Sequence, residues 1–121
     1  MPLIMIATSK VNGLSELVSM LTLKTDVEGF RVESGKMALD AAEKLTPDLI
    51  VIDEQLDDMS GLDLAQRVLS VNAFINTALV SSLSDEDFHE ASEGLGVLMK
   101  LSPEPVKNEA DILLKKLASI S

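Results

Sequence analysis

The stretch PDLIVIDEQLDDMSGLDL, residues 47–64, holds the clearest structural signal in this chain of 121 residues. Its apolar run, residues 49–52, is continuous rather than alternating, which is typical of a strand buried on both faces of a parallel sheet. Asp53 follows this run directly, and an acidic loop leads on to Gly61, where apolar residues take up helical spacing. The stretch therefore predicts a buried strand, a polar turn and a helix.

The rest of the chain repeats this alternation of strand and helix. Further strands are predicted over residues 3–7, 78–80 and 97–99, with a weaker one over 30–32. Apolar residues three and four positions apart predict one helix after each strand. The helical sets are Leu14, Leu17, Val18 and Leu21; Met37, Ala38, Ala41, Ala42 and Leu45; Leu62, Leu64, Ala65, Val68 and Leu69; Phe88, Ala91 and Ser92; and Ile112, Leu113, Leu117 and Ile120. Ser84 is predicted to cap the fourth helix, with Asp87 three residues later. Five such units favour an α/β domain with a doubly wound parallel sheet.

Composition narrows the classes of function. The formal net charge is −10, from 20 acidic and 10 basic residues, so binding to nucleic acid or to an anionic membrane is not expected. The absence of cysteine excludes disulfides and thiolate metal sites. No basic, apolar leader is visible at the start, and no apolar run approaches the roughly 20 residues that cross a bilayer. We expect one cytoplasmic domain over residues 1–121, with no output domain.

Polar side chains stand where the predicted strands end. Asp53 follows the third strand, Ser82 follows the fourth, and Lys100 ends the fifth. Thr8 and Ser9 follow the first strand. Ligands of open α/β sheets bind beyond the carboxyl ends of the strands, so these groups are predicted to converge on one edge.

Residues 47–64 resemble the core motif of response-regulator receiver domains. The shared pattern is an apolar strand, an acceptor aspartate at Asp53, a short acidic loop, and Met59-x-Gly61-Leu62 at the start of the next helix. The similarity extends from Leu3 to about residue 117. It implies a flavodoxin-like (βα)5 fold with strand order 2-1-3-4-5 and a role as a non-enzymatic module of a two-component phosphorelay.

The resemblance also implies roles for single residues. Asp53 would accept a phosphoryl group as an acyl phosphate, Ser82 would bond a phosphoryl oxygen, and Lys100 would pair with the phosphoryl charge. The implied donor is a histidine kinase or a phosphotransfer protein. A downstream protein would read the signal, and a homodimer through the fourth and fifth helices is a further implication.

The chain departs from the family pattern at the magnesium site. Receiver domains usually carry two acids just after the first strand, but this chain has Ala7, Thr8 and Ser9 there. Asp53 and the backbone carbonyl of Gln55 remain as ligands. Because magnesium is usually bound through one or two carboxylates, the resemblance implies a weak site at most.

Other acids nearby have two interpretations. Glu54 or Asp58 could partly replace the missing magnesium ligands. The acidic run at residues 85–87 begins the fourth helix, where the favourable contact with the helix dipole explains it without any function.

Two more departures leave alternatives open. Leu101 stands where the family has proline, and Val97 stands where it has a switch aromatic. With the missing acids, these changes also fit a pseudo-receiver that binds a protein partner without phosphorylation. A small anion-binding protein of the same flavodoxin-like fold is the third possibility.

Overall fold

The computed structural model describes residues 2–10, 14–23, 27–105 and 107–120. Strands and helices alternate through them. The elements are β1 (Leu3–Ala7), α1 (Ser15–Thr22), β2 (Glu28–Val32), α2 (Gly35–Leu45), β3 (Leu49–Ile52), α3 (Gly61–Val71), β4 (Asn76–Val80), α4 (Asp85–Ala91), β5 (Val97–Leu101) and α5 (Lys107–Ile120). The strands form one parallel sheet in the order β2-β1-β3-β4-β5. The predicted fold class and strand order are confirmed.

The core consists of two apolar layers, one on each face of the sheet. Ile50 and Ile52 of β3 pack on the side of α2 and α3, whereas Leu49 and Val51 pack on the side of α1 and α5. All four side chains are fully buried. Because successive strand residues point to opposite faces, a strand covered on both sides needs apolar residues at every position. This explains the continuous run from which the fold was predicted.

Side-chain caps fix where three of the helices begin. Ser34, Ser60 and Ser84 each accept a hydrogen bond from the backbone amide three residues further on, at the starts of α2, α3 and α4. A serine in this position satisfies an amide that the first helical turn leaves unpaired. The predicted cap at Ser84 is confirmed.

The bounds of three strands differ from the prediction. β2 begins at Glu28, β4 begins at Asn76, and β5 extends to Leu101. Lys100 therefore lies within β5, not at its end, and it pairs with Leu79 of β4. The sequence pattern predicted too early an end for β5 because the charged Lys100 interrupts the apolar run, although its backbone still pairs with β4.

β2 and β5 are the outer strands of the sheet. In β2, Glu28, Gly29 and Arg31 are exposed, whereas in β5 only Leu101 is fully buried. The Arg31 guanidinium pairs with Glu33 at 3.2 Å. Among the described helices, none has the length and apolar character needed to cross a bilayer.

Candidate functional site

Asp53 lies at the carboxyl edge of the sheet, directly after the central strand β3. Its backbone amide donates to the Ala7 carbonyl at 2.9 Å, which fixes it against the end of β1. Only 4% of the residue is exposed. One carboxylate oxygen, Oδ2, accepts the Thr8 hydroxyl at 2.7 Å, and Oδ1 accepts the Glu54 amide at 2.8 Å. The carboxylate is thus nearly buried and held by one donor on each oxygen, which satisfies a charge that burial would otherwise destabilise.

Gly61 brings the start of α3 against the backbone of Asp53. Its amide donates to the Glu54 carbonyl at 2.9 Å. A Cβ atom at this position would overlap the Asp53 carbonyl oxygen and would lie 3.2 Å from Cγ2 of Ile52. The glycine of the Met59-x-Gly61-Leu62 motif is therefore required by the close approach of two backbone segments, because only glycine leaves room for it.

Ser82 is bonded to the residue that follows Asp53. Its backbone amide and its hydroxyl both donate to the same oxygen, Oε2 of Glu54, each at 2.8 Å. Both bonds have an ionised acceptor, which makes them stronger than bonds between neutral groups. Ser82 was predicted as a site residue from its position after β4, but its partner Glu54 was not predicted.

Lys100 is bonded to the turn that leads into α4. Its ammonium group lies 2.7 Å from Oδ1 of Asp85 and donates to the Leu83 carbonyl at 2.9 Å. The hydrogen bond from Lys100, together with the attraction between the charges, holds the pKa of the Asp85 carboxyl below its usual range. The helix dipole alone was thus an incomplete explanation of the acidic run at residues 85–87.

The three predicted site residues therefore share an edge but are joined through two intermediary acids. Within the described part of the chain, no hydrogen bond or ion pair links the Asp53 carboxylate to Ser82 or to Lys100. Glu54, next to Asp53 in the chain, holds Ser82, and Asp85 holds Lys100. The direct meeting of carboxylate, hydroxyl and amine that the strand ends predicted is absent from this state.

Asp58 caps α2 from the loop that follows Asp53. Its two carboxylate oxygens accept the amides of Gly35, at 2.8 Å, and Lys36, at 3.0 Å. The bond from Gly35, and after it the bond from Lys36, lowers the pKa of the Asp58 carboxyl below its usual value. The Glu54 and Asp58 carboxylates, suggested above as partial replacements for the missing magnesium ligands, bond Ser82 and the start of α2 in this structure.

Ser9 and Gln55 complete the edge. The Ser9 hydroxyl donates to the Glu33 carbonyl at 2.6 Å and accepts the Asp57 amide at 2.9 Å. Gln55, whose carbonyl was a predicted magnesium ligand, forms an isolated antiparallel bridge with Ser60. Among residues 2–10, 14–23, 27–105 and 107–120, no three acids, histidines or cysteines are grouped as metal ligands. The donors at this edge therefore do not fit the usual magnesium site.

The Asp58 cap predicts a specific pH dependence. Because folding lowers the pKa of Asp58, the carboxylate stabilises the fold above the ordinary aspartate value of 3.8 and ceases to do so as pH falls through the lowered value. We expect Asp58→Ala to lower the urea midpoint at pH 7 by roughly a few tenths of a molar, and the difference from wild type to narrow near pH 3.

Urea titrations followed by circular dichroism at both pH values measure this difference. Asp57→Ala, which removes a neighbouring exposed acid, is the matched control and should leave the midpoint almost unchanged. A difference for Asp58→Ala that stays constant from pH 7 to pH 3 would rule out the carboxylate as the cause.

Comparison with known proteins places these features in context. The family model of the response regulator receiver domain matches residues 4–102. Sporulation initiation phosphotransferase F of Bacillus subtilis (strain 168) is 26% identical over 86 residues, which cover 71% of this chain and 69% of that protein. Protein-glutamate methylesterase/protein-glutamine glutaminase 1 of Methanospirillum hungatei JF-1 is 30% identical over 97 residues, or 77% of this chain but 28% of that protein. The structure of the Francisella response regulator 1452 receiver domain superposes with a TM-score of 0.86 at 20% identity, over 99% of this chain and 98% of that one.

Proposed function

Since the chain belongs to the family of response regulator receiver domains, a family of two-component signalling, we propose that Asp53 accepts a phosphoryl group in a phosphorelay. The observation that supports this assignment is the carboxylate itself. It lies at the carboxyl end of the central strand, where ligands of open α/β sheets bind, and it is nearly buried yet hydrogen-bonded on both oxygens. Such a group is held in one orientation, ready for attack.

The proposed reaction is the transfer of a phosphoryl group from a phosphohistidine. An Asp53 carboxylate oxygen attacks phosphorus, the bond from phosphorus to the imidazole nitrogen breaks, and the imidazole leaves with the electron pair and takes up a proton. The product is an acyl phosphate on Asp53. Its added charge needs donors, and Ser82 and Lys100 are the groups proposed to supply them.

Receiver domains in general bind magnesium at the phosphorylation site, but the donors of this chain fit that ion poorly. Ala7, Thr8 and Ser9 stand where two carboxylates are usual, and the Thr8 hydroxyl is already bonded to Asp53. Even the loss of a group that bonds a metal ligand, and not the metal itself, typically weakens metal affinity by about 10–100-fold. We propose that any site formed by Asp53 and the Gln55 carbonyl is weak.

Receiver domains interact with histidine kinases or phosphotransfer proteins and with downstream effectors. For this chain we propose a phosphohistidine donor of that kind and a protein as the output partner, with residues 1–121 acting as one cytoplasmic, non-enzymatic module. The methylesterase relative is a larger protein, of which the matched region is 28%. Its enzymatic activity is therefore not transferred to this chain.

The test is incorporation of a phosphoryl group. We expect the wild type to gain the mass of one phosphoryl group when it is incubated, with magnesium present, with acetyl phosphate, with phosphoramidate or with a phosphorylated phosphotransfer protein, and Asp53→Asn to gain none. Asp57→Asn, which changes an exposed acid four residues away, is the matched control and should be labelled like the wild type.

Equal labelling of Asp53→Asn would refute the assignment of the acceptor. No labelling from any donor would refute the phosphorelay role and favour the pseudo-receiver, in which binding of a partner is indifferent to Asp53→Asn. A small anion that remains with the protein in native mass spectrometry would favour the anion-binding alternative.

A further inference from the structure

We propose that Glu54 is an internal anionic ligand of Ser82, which occupies the contact of the phosphoryl group until Asp53 is phosphorylated and competes with that group for it. This inference rests on the proposed function, because Ser82 is a phosphoryl ligand only if Asp53 is the acceptor. Its basis is the double hydrogen bond to one Glu54 oxygen, with both distances at 2.8 Å.

The hydrogen-bond donors of Ser82 are already in use. Ser82 offers an amide and a hydroxyl, and both are already directed at a single carboxylate oxygen. Two donors converging on one anionic oxygen form a small anion-binding site in the turn between β4 and α4. A phosphoryl oxygen has the same requirement as the carboxylate oxygen, so the two cannot use these donors at once.

Glu54 lies between the acceptor Asp53 and the turn that contains Ser82. Its amide donates to Oδ1 of Asp53, its carbonyl accepts the amide of Gly61, and its side chain reaches Ser82. Backbone and side chain therefore link the acceptor to the β4–α4 turn through one residue. The Glu54 backbone is held at its amide and at its carbonyl, so the side chain can leave Ser82 for solvent by rotating about its own bonds, without movement of the backbone.

Phosphorylation of Asp53 changes the charge at this edge of the sheet. The acyl phosphate on Asp53 carries about −1.5 to −2 charges where the free carboxylate carried one, so phosphorylation makes the site next to Glu54 in the chain more negative, and like charges repel. Lys100 does not offset that charge in the present state, because its ammonium group is bonded to Asp85. Phosphorylation should therefore expel Glu54 from Ser82 and draw Lys100 from Asp85, which changes two of the contacts that hold the β4–α4 turn.

The inference predicts that neutralising Glu54 speeds phosphorylation. We expect Glu54→Gln to take up the phosphoryl group of acetyl phosphate roughly tenfold faster than wild type, as removal of one opposing charge would give. Asp57→Asn removes an equal charge from the same loop without touching Ser82 and should change the rate by less than about twofold. Intact-protein mass spectrometry over time measures both rates.

A second measurement does not depend on phosphorylation. The Ser82 amide should exchange its hydrogen at least about tenfold faster in Glu54→Ala than in wild type, whereas Asp57→Ala should leave the exchange unchanged. Exchange resolved at Ser82 by nuclear magnetic resonance gives this ratio, and unaltered exchange at the central strand amides shows that the variant is folded.

The outcomes separate this inference from the proposed function. If wild type is labelled and Glu54→Gln is not faster, or if Asp57→Asn is accelerated equally, the competition is refuted while the acceptor role of Asp53 stands. If no variant is labelled, the competition falls together with the proposed function. Unchanged exchange of Ser82 in Glu54→Ala would refute the contact itself.

Discussion

Gly61→Ala should destabilise the domain by about 3 kcal/mol, at the upper end of the usual cost of overpacking. The added Cβ would overlap the Asp53 carbonyl oxygen and would lie 3.3 Å from the Glu54 carbonyl oxygen. Both are backbone atoms at the end of a buried strand, so they cannot move aside as the tip of a flexible side chain can. The strain would fall on Asp53, and we expect labelling of that residue to fall with stability.

Gly29→Ala in β2 is the matched control for this substitution. There the new methyl group meets only Cγ2 of Thr22, at 3.1 Å, and a carbonyl oxygen at 3.8 Å. We expect a change within about 1 kcal/mol, because the small clash is offset by the reduced entropy of the unfolded chain. Urea denaturation of both variants measures the difference. Equal stabilities would show that the close approach at Gly61 costs little.

Replacing Thr8 and Ser9 together by aspartate should create a strong response to magnesium. The double variant places two carboxylates just after β1, where receiver domains usually carry them, and carboxylates are the ligands through which magnesium is usually bound. We expect affinity for magnesium to rise at least about 10–100-fold, and saturating magnesium to raise the melting temperature of the variant by on the order of 10 °C.

The same variant should be less stable than wild type without the metal. Thr8 is fully buried, so an aspartate there sets a second carboxylate against Asp53 away from water. Thr8→Asn with Ser9→Asn is the control, since it keeps the size but adds no charge and should not respond to magnesium. A wild-type melting temperature that rises with magnesium as much as that of the aspartate variant would show that the natural hydroxyls already suffice.

The sequence was informative where packing depends on pattern alone. Apolar runs such as residues 49–52 predicted the buried strands, because a sheet covered on both faces accepts little else. Helical spacing predicted the helices because one stripe of each helix packs on the sheet. Ser84 predicted the start of α4 because a serine there bonds a free amide of the first helical turn. The strand order, by contrast, came from the resemblance to receiver domains, since periodicity does not say which strands are neighbours.

The contacts of the candidate site were less predictable. Asp53, Ser82 and Lys100 were placed on the correct edge, but Glu54, which bonds Ser82, and Asp85, which bonds Lys100, were not recognised as their partners. In a chain with 20 acidic residues, an acid that bonds a residue 28 positions away looks like any solvated acid. Only the geometry of the turns and the rotamers of the side chains distinguishes them.

The outer strands have a consequence for how copies of this domain meet. An uncovered strand is a template for a further strand from another chain, and charged side chains along it discourage such pairing. β2 presents Glu28 and Arg31 there, and β5 includes Lys100. At high concentration the domain should therefore resist edge-to-edge polymerisation into fibrils, so partners are expected to approach its helices and turns instead of extending the sheet.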